Sequence, residues 1–575
     1  MRISNISINF FRSIKNCSLS LHEITAIIGE NNAGKTALLR ALNSVFNWGE
    51  EERFFKDNTH QYAPRRVTKI TLTFEDIPNK ALYYNKLYGN KLLLEFSYSY
   101  GESKRKKTLR CLKAVQSDTV DDNFIAELKK DIDFIYIPAN RGNSDLTWND
   151  TSIYKKVLVE YSQYVTQSRD NASAQIERVG SSLRKSLFSK IEKELEQMSM
   201  LDNAEHYQLG YITNLDYFLF LDKVGIQIRE HNQSYPVTEY GSGIQSLSVI
   251  ALYRALAKIK KVNVVLGLEE PEINLHPHAQ KKLIASIKNN RQDTEIQAIM
   301  TTHSTVMVDE LEHEDIILAR RVKDVTRGFF TAFSQINNDF WTTYNLSEFK
   351  HDKFFKYKNS EFFFSKYIVI VESSTDAEVV RKLISQEIGE KIYYISILNL
   401  DGVKNLKYPY FLLKTLGFNF SMVVDMDFLT QYKNDALKKS RNTDNCLPEY
   451  KNTLIENNPV INDLFTRLEK QQLNTALQQS YTSTFQYCQG KKVFPMQYCL
   501  EIDLVANTPS KVQYCRLFEI ENDENANKCL LVDNYAAIKE PERVLTVFNA
   551  LQKKEYPYSY KKIKNALCQD IINAF

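Results

Sequence analysis

The octapeptide Gly29-Glu30-Asn31-Asn32-Ala33-Gly34-Lys35-Thr36 matches the pattern G-x-x-x-x-G-K-T at every fixed position. It commits the chain to an α/β core, because such a loop works only between a buried strand and the N-terminus of a helix. The flanks supply both. Residues 24–28 are an apolar run that predicts the strand, and residues 36–46, with Leu38, Leu39, Leu42 and Phe46 at helical spacing, predict the helix. Gly29 and Gly34, with Asn31 and Asn32 between them, let backbone N–H groups close around phosphate oxygens. Lys35 is expected to reach the β- and γ-phosphates as a point charge, and Thr36 to hold Mg²⁺ through its hydroxyl. The loop therefore predicts a nucleotide site.

The 575 residues exceed what one core organises, so two to four domains are expected. No apolar run approaches the roughly 20 residues that a membrane helix needs, and the start MRISNISINF has no basic stretch leading into an apolar one. Eight scattered cysteines form no C-x-x-C pair, so the reading is a cytoplasmic protein with reduced thiols and no membrane partner. The net charge of +4 does not by itself demand nucleic acid. Two basic clusters stand out. Residues 104–107 lie between strand-like runs and read as a hairpin tip, whereas residues 553–564 interleave lysines with Tyr556, Tyr558 and Tyr560 and suit a phosphate backbone.

Strand-like alternation dominates up to about residue 138, with 3–8, 70–74 and 134–137 as clear segments. Residues 152–200 then read as helices, with Ile176, Val179, Leu183, Leu187, Ile191 and Leu195 at three- and four-residue spacing. Such a stripe faces either its own domain or a partner helix. Strands return from Tyr211, a change of domain is expected within residues 338–360, and the apolar segments 367–371, 395–398 and 420–424 then have the rhythm of a small parallel α/β domain.

A P-loop needs a carboxylate on the Mg²⁺ side and a group that positions the attacking water. The apolar run 262–268 ends in Glu269-Glu270-Pro271-Glu272, which offers Glu269 for the first part and Glu270 as the base. Ahead of it, Tyr240-Gly241-Ser242-Gly243-Ile244-Gln245 leads into a helix predicted over 246–258; behind it, an apolar strand over 296–300 ends in Thr301-Thr302-His303-Ser304. Each fragment alone is an ordinary turn or strand end. In this order they resemble the ATP-binding-cassette ATPases of the chromosome-maintenance and repair type over residues 1–340. The resemblance implies that Ser242, Gly243 and Gln245 belong to the signature that contacts ATP, that residues 274–277 are the D-loop region, and that His303 is the switch histidine. It also implies a homodimer or higher oligomer, since in that family one subunit's signature completes the other's γ-phosphate site. Glu269 stands where Asp is usual, and Gln61 and Asp57 are both candidates for the Q-loop residue. Only about 200 residues, without sustained heptads, separate the loop from the signature, too few for a long coiled-coil arm.

The strand-like run 368–371 ends in Glu372-Ser373-Ser374-Thr375-Asp376, and 422–424 ends in Asp425-Met426-Asp427. Alternation along an extended chain points Asp425 and Asp427 the same way, and in a parallel sheet Glu372 meets them at the carboxyl edge. Clustered carboxylates without His or Cys call for Mg²⁺ or Mn²⁺. This arrangement resembles the Toprim domain of topoisomerases, primases and certain nucleases, with Ser373 in place of the usual glycine.

A cassette ATPase followed by Toprim resembles the overcoming-lysogenisation-defect (OLD) family, which includes the Gabija nuclease subunit and nuclease effectors of some retrons. The resemblance spans essentially the whole chain and implies an ATP-regulated, metal-dependent DNA endonuclease acting in defence. One metal would be held by Glu372, Asp425 and Asp427, the other by Asp376, Glu501 and Asp503. A catalytic lysine is also implied, for which Lys553, Lys554, Lys561, Lys562 and Lys564 compete and Lys562 is taken. A helicase, or a reverse transcriptase with its msDNA, is the partner such a gene would have beside it. The alternatives are a DNA-binding ATPase clamp with an inactive Toprim, and a repair or topology nuclease. The expected organisation is thus ATPase over 1–150 and 211–350, a helical insertion and candidate dimerisation region over 151–210, and Toprim with a C-terminal extension over 360–575.

Overall fold

The computed structural model describes residues 1–101, 105–113, 117–147, 149, 152–162, 184–198, 205–211, 224–260, 262–288, 296–325, 328–337, 339–346 and 360–575. The chain divides into two compact units, Met1–Asn337 and Asn338–Phe575.

The first unit is built on a 13-stranded mixed sheet. Its parallel part runs Ile316–Asp324, Ile24–Gly29, Ile296–Thr301, Asn263–Glu269, Ile132–Ile137. Every residue of Ile24–Gly29 is buried, which is why this strand reads as an unbroken apolar run. Helix Lys35–Phe46 follows the P-loop and buries Leu38, Leu39, Leu42 and Phe46 in the main core. Gly328–Ser334 pairs antiparallel with Ile316–Asp324 and touches Ile14–Ser20 in parallel, and from there an antiparallel wing runs through Arg2–Phe11, Thr68–Glu75 and Lys91–Ser99 to Lys106–Cys111 and Asp118–Val120. There the burial alternates, with Ile70, Leu72 and Phe74 inward, as a sheet with one solvated face requires. The predicted hairpin near 104–107 is present: Ser99 pairs with Lys106, so Lys106 and Lys107 open its second strand, while Lys104 lies outside the described residues.

Helices Ile153–Ser162 and Ser189–Met198 pack on Ser242–Lys260. Leu187, Ile191 and Leu195 are buried within this unit, and Glu194 pairs with Arg254 at 3.5 Å and with Lys258. Ile176, Val179 and Leu183 lie outside the described residues. Strands resume at Glu205, six residues before the predicted Tyr211, because Glu205–Tyr211 pairs along its whole length with Val224–Glu230. The stretch 151–210 is therefore not helical to its end. The helix expected from residue 246 starts at Ser242.

The second unit is a four-stranded parallel sheet in the order Ile395–Asn399, Tyr367–Val371, Phe420–Val424, Val493–Pro495. Helix Ser374–Ile388 follows the fully buried central strand and lies against the C-terminal helix Tyr558–Ala574. The C-terminal segment is therefore part of this unit's core, with Tyr560, Ile563 and Leu567 packed with Val369 and Val371. Here the reading of residues 553–564 as a phosphate groove changes. Tyr560 is wholly buried and donates to Leu500 O at 2.7 Å, and Lys553 and Lys564 pair with Glu387 at 3.0 and 3.2 Å. Among the described residues, no helix is long and apolar enough to cross a membrane.

Candidate nucleotide site and candidate metal centre

At the first site the P-loop glycines are dictated by space and by backbone. Gly29 has φ +141° and a Cβ there would lie 2.1 Å from Ala319 O; Gly34 has φ +93° and a Cβ would lie 2.2 Å from Thr331 Oγ1. Asn32 also takes a left-handed conformation, φ 59°. Buried Lys35 folds its Nζ back onto Gly29 O at 3.0 Å and Glu30 O at 2.9 Å, two carbonyls it would exchange for phosphate oxygens. Burial lowers its pKa to about 8, against the pull of Glu270, Glu272 and Glu30. Thr36 Oγ1 donates to Glu269 Oε1 at 2.7 Å, and Tyr136 donates to the other oxygen of Glu269. Thr36 and Glu269, expected on the metal side of the nucleotide, are thus already in contact.

Glu270 turns away from the strand with φ 43°, and its N–H donates to Thr301 O at 3.0 Å. His303 Nε2 stands 3.7 Å from Glu270 Oε1. Burial, aided by Lys35, lowers the His303 pKa to about 4, so the imidazole is neutral near pH 7 and the contact is not an ion pair. Glu272 accepts from His303 N at 2.6 Å, while its other oxygen is buried and unpaired. A residue the sequence reading missed holds these turns together. Buried Arg141 donates to Pro138 O, Glu269 O and Glu270 O, each at 2.8 Å, and to Ser246 Oγ at 3.0 Å. Its only sequence signal is its place just past the strand Ile132–Ile137.

Ser242 is exposed at the helix start, and a Cβ on Gly243 would lie 2.5 Å from Asn274 O. The Gln245 amide donates to Thr238 O at 3.0 Å and Tyr240 O at 2.8 Å. Among the described residues, no hydrogen bond joins these three to residues 29–36. Of the Q-loop candidates, Asp57 accepts from Thr59 N at 2.9 Å, and Gln61 forms an isolated bridge with Phe11.

The second site lies at the carboxyl edge of the parallel sheet. Glu372 follows Val371, and Asp425 follows Val424 on the neighbouring strand. Glu372, Asp425 and Asp427 each present a carboxylate oxygen within 4.8 Å of the others. The physical reason differs from the predicted strand alternation. The strand ends at Val424 and Met426–Phe428 is a 3-10 turn, so a tight turn gathers the two aspartates. Asp425 N donates to Glu372 Oε1 at 3.1 Å. Burial first, then Asp427, Asp376 and Glu501, raise the Glu372 pKa to about 7. Burial and the same crowding push Asp425 well above the carboxylate range.

Asp376 is 8% exposed and caps its own helix; its Oδ2 accepts from Ser373 N at 2.9 Å and Ser373 Oγ at 2.7 Å. Ser373 thus serves as the N-cap of Ser374–Ile388. Burial, followed by Glu501 among the charges, raises Asp376 to about 6. Glu501 Oε1 lies 2.5 Å from Lys539 Nζ. Among the described residues, Asp503 is not grouped with other carboxylates as a set of possible ligands. Its oxygens accept from Gln497 N at 3.0 Å, Tyr498 N at 2.8 Å and Ser559 Oγ, and it anchors the loop after Val493–Pro495. Lys562 Nζ lies over the rings of Tyr558 at 5.1 Å and Phe485 at 5.5 Å. Among the described residues, Lys539 reaches the acidic edge; its Nζ is 4.7 Å from the Tyr535 ring centroid and its pKa is raised by Glu501 despite burial.

The donor set at this edge is hard carboxylate oxygen, and its raised pKa values mark repulsion that a divalent cation would relieve. The residues present therefore fit Mg²⁺ or Mn²⁺.

A P-loop ATPase core and a parallel α/β unit with a carboxylate centre at its sheet edge define an ATPase–Toprim protein. Residues 24–309 match the family model "AAA domain, putative AbiEii toxin, Type IV TA system", and residues 363–427 match "Overcoming lysogenization defect protein-like, TOPRIM domain". The chain is 24% identical to the Old nuclease of Escherichia phage P2, over 75% of this chain and 78% of that one. It is 23% identical to the OLD nuclease of Thermus scotoductus, over 79% and 88%, and 22% identical to Endonuclease GajA of Bacillus cereus (strain HuB5-5), over 70% of each. Over most of its length the chain is thus similar to OLD-family nucleases, with an ATPase domain followed by an OLD-like Toprim domain.

Proposed function

We propose that this protein is an ATP-regulated, divalent-metal-dependent DNA endonuclease of antiphage defence. The observation that carries the reading is the convergence of Glu372, Asp425 and Asp427 within 4.8 Å at the sheet edge. Three relatives of similar extent bear the name nuclease or endonuclease, which supports it. Glu372, Asp425 and Asp427 would hold Mg²⁺ or Mn²⁺, which supplies Lewis-acid stabilisation of a phosphoryl oxygen and a more acidic water. Asp376 and Glu501 would serve a second cation or take the proton of the attacking water. Lys539, kept protonated by Glu501, offers positive charge to the phosphate as it turns trigonal-bipyramidal.

In the other unit Lys35 and Thr36 would bind the triphosphate and its cation, and Glu270 beside neutral His303 would orient water for hydrolysis. The signature residues Ser242, Gly243 and Gln245 make no hydrogen bond to the loop of their own chain among the described residues, which supports their use across a dimer. The test is cleavage of supercoiled and linear DNA with Mg²⁺ or Mn²⁺ and ATP varied independently. Asp425→Ala is expected to lose about a hundredfold or more of the rate, since even outer-shell partners are worth 10–100-fold. Undiminished cleavage by this variant would remove the assignment.

A further inference from the structure

Beside the carboxylates stands a feature that phosphate chemistry alone does not require. Thr430–Tyr432 and Tyr450–Leu454 form a hairpin directly after Asp427, and its register sets Tyr432 opposite Tyr450. The two rings stack with centroids 5.1 Å apart and planes at 21°, and Tyr498, from the loop after Val493–Pro495, extends the stack at 6.5 Å and 19°. A cross-strand aromatic pair is ordinary sheet packing. A third, nearly parallel ring from another segment extends the stack beyond the hairpin. All three tyrosines are only half-buried. Among the described residues, no ring other than Tyr450 stacks on Tyr432.

The stack is fastened to the metal-side turn. Tyr432 OH donates to Asp427 Oδ2 at 3.4 Å, and Met426 N, between the two aspartates, donates to Tyr498 O at 2.9 Å. The hairpin is rich in cations, of which Lys433 pairs with Glu449 at 2.7 Å and Lys451 with Asp435 at 2.6 Å. The hairpin and its loop carry Lys433, Lys438, Lys439, Arg441 and Lys451 against Asp435, Asp444 and Glu449, and Lys438 and Lys439 are exposed. Parallel aromatic faces with cations along the path of a backbone are the makings of a platform for unpaired bases.

We propose that Tyr432, Tyr450 and Tyr498 stack an unpaired base next to the scissile phosphate. The substrate class of this centre is then DNA with a single-stranded or splayed nucleotide at the cut, not an intact duplex, whose bases have both faces covered by neighbours. The inference rests on the nuclease reading, because the carboxylates place the phosphate and the tyrosines place the base.

The test uses the full-length protein with Mg²⁺ or Mn²⁺ and oligonucleotides of one sequence, fully paired, with a bubble at the cut, or single-stranded. Each carries 2-aminopurine beside the cut as a stacking reporter. The wild type should cut the unpaired forms about tenfold or more faster and quench the reporter on binding, the scale of one base–aromatic stack. Tyr450→Leu should lose both the preference and the quenching, chiefly through KM, and Tyr450→Phe should keep both. Tyr432→Leu, at the end of the stack, gives the same readout if Tyr450→Leu fails to fold. Equal cutting of paired and unpaired forms by the wild type, or preference and quenching unchanged in the leucine variants, overturns the platform. If the wild type cuts no DNA the nuclease reading fails instead, and the reporter still decides whether bases stack on the tyrosines.

Discussion

Lys539 and Arg141 show how single side chains organise the two sites from a distance in sequence. Lys539 sits 38 positions after Glu501 and meets it at 2.5 Å, and Arg141 reaches Ser246 across 105 positions. Lys539→Met should reduce metal-dependent DNA cleavage by about tenfold to a hundredfold, the scale of a lost charge partner beside metal ligands, whereas Lys562→Met should stay within about twofold of the wild type. A steady-state comparison of purified variants reads both, and the reverse ranking would return the part to Lys562. Thr36 and Glu269 were legible in the sequence because each belongs to a motif whose order repeats the order of the strands. Arg141 and Lys539 were not, since neither has a local pattern and both take their meaning from the folded neighbourhood. Ser373 was legible as a departure from glycine but not as a cap, which needs the geometry of Asp376.

At the scale of elements, two strand ends and one helix start gather Glu372, Asp376 and Asp425 at one sheet edge. The strands themselves were readable from their apolar runs, and 420–424 agrees with Phe420–Val424 to the residue. Glu205–Tyr211 was not, because its alternation is weak and its partner strand begins only at Val224. The edge has a consequence for stability. Glu372 is raised from 4.5 to about 7 and Asp376 from 3.8 to about 6. A carboxyl raised in the fold stabilises it fully below its unfolded pKa and loses that contribution as pH climbs through the folded value. The metal-free protein should therefore lose stability between about pH 4 and about pH 7 from this source. Adding Mg²⁺ or Mn²⁺ should raise the melting temperature more at about pH 8 than at about pH 5, where protons compete with the ion. Thermal melts in EDTA and in metal, without nucleotide, check this, and equal rises at both pH values would contradict it.

At the scale of the whole molecule, each of the two units has its own core, and the chemistry is divided between them. The division was legible because two motif sets lie on either side of a stretch without periodicity. The eight cysteines are all free, so neither core depends on a disulfide. Lys35→Ala removes the P-loop cation but no carboxylate of the second unit. Its expected effect is loss of the ATP response in the cleavage assay, with cleavage still dependent on divalent metal, and an unchanged ATP response would separate the nucleotide site from control of the nuclease.

Arg141 would give such control a structural route. One guanidinium grips the carbonyls of Glu269 and Glu270, where nucleotide would be hydrolysed, and the first turn of Ser242–Lys260, where a second copy would dock. One planar fork spans those points. A displacement of the catalytic turn would be felt near the start of Ser242–Lys260 through this one side chain.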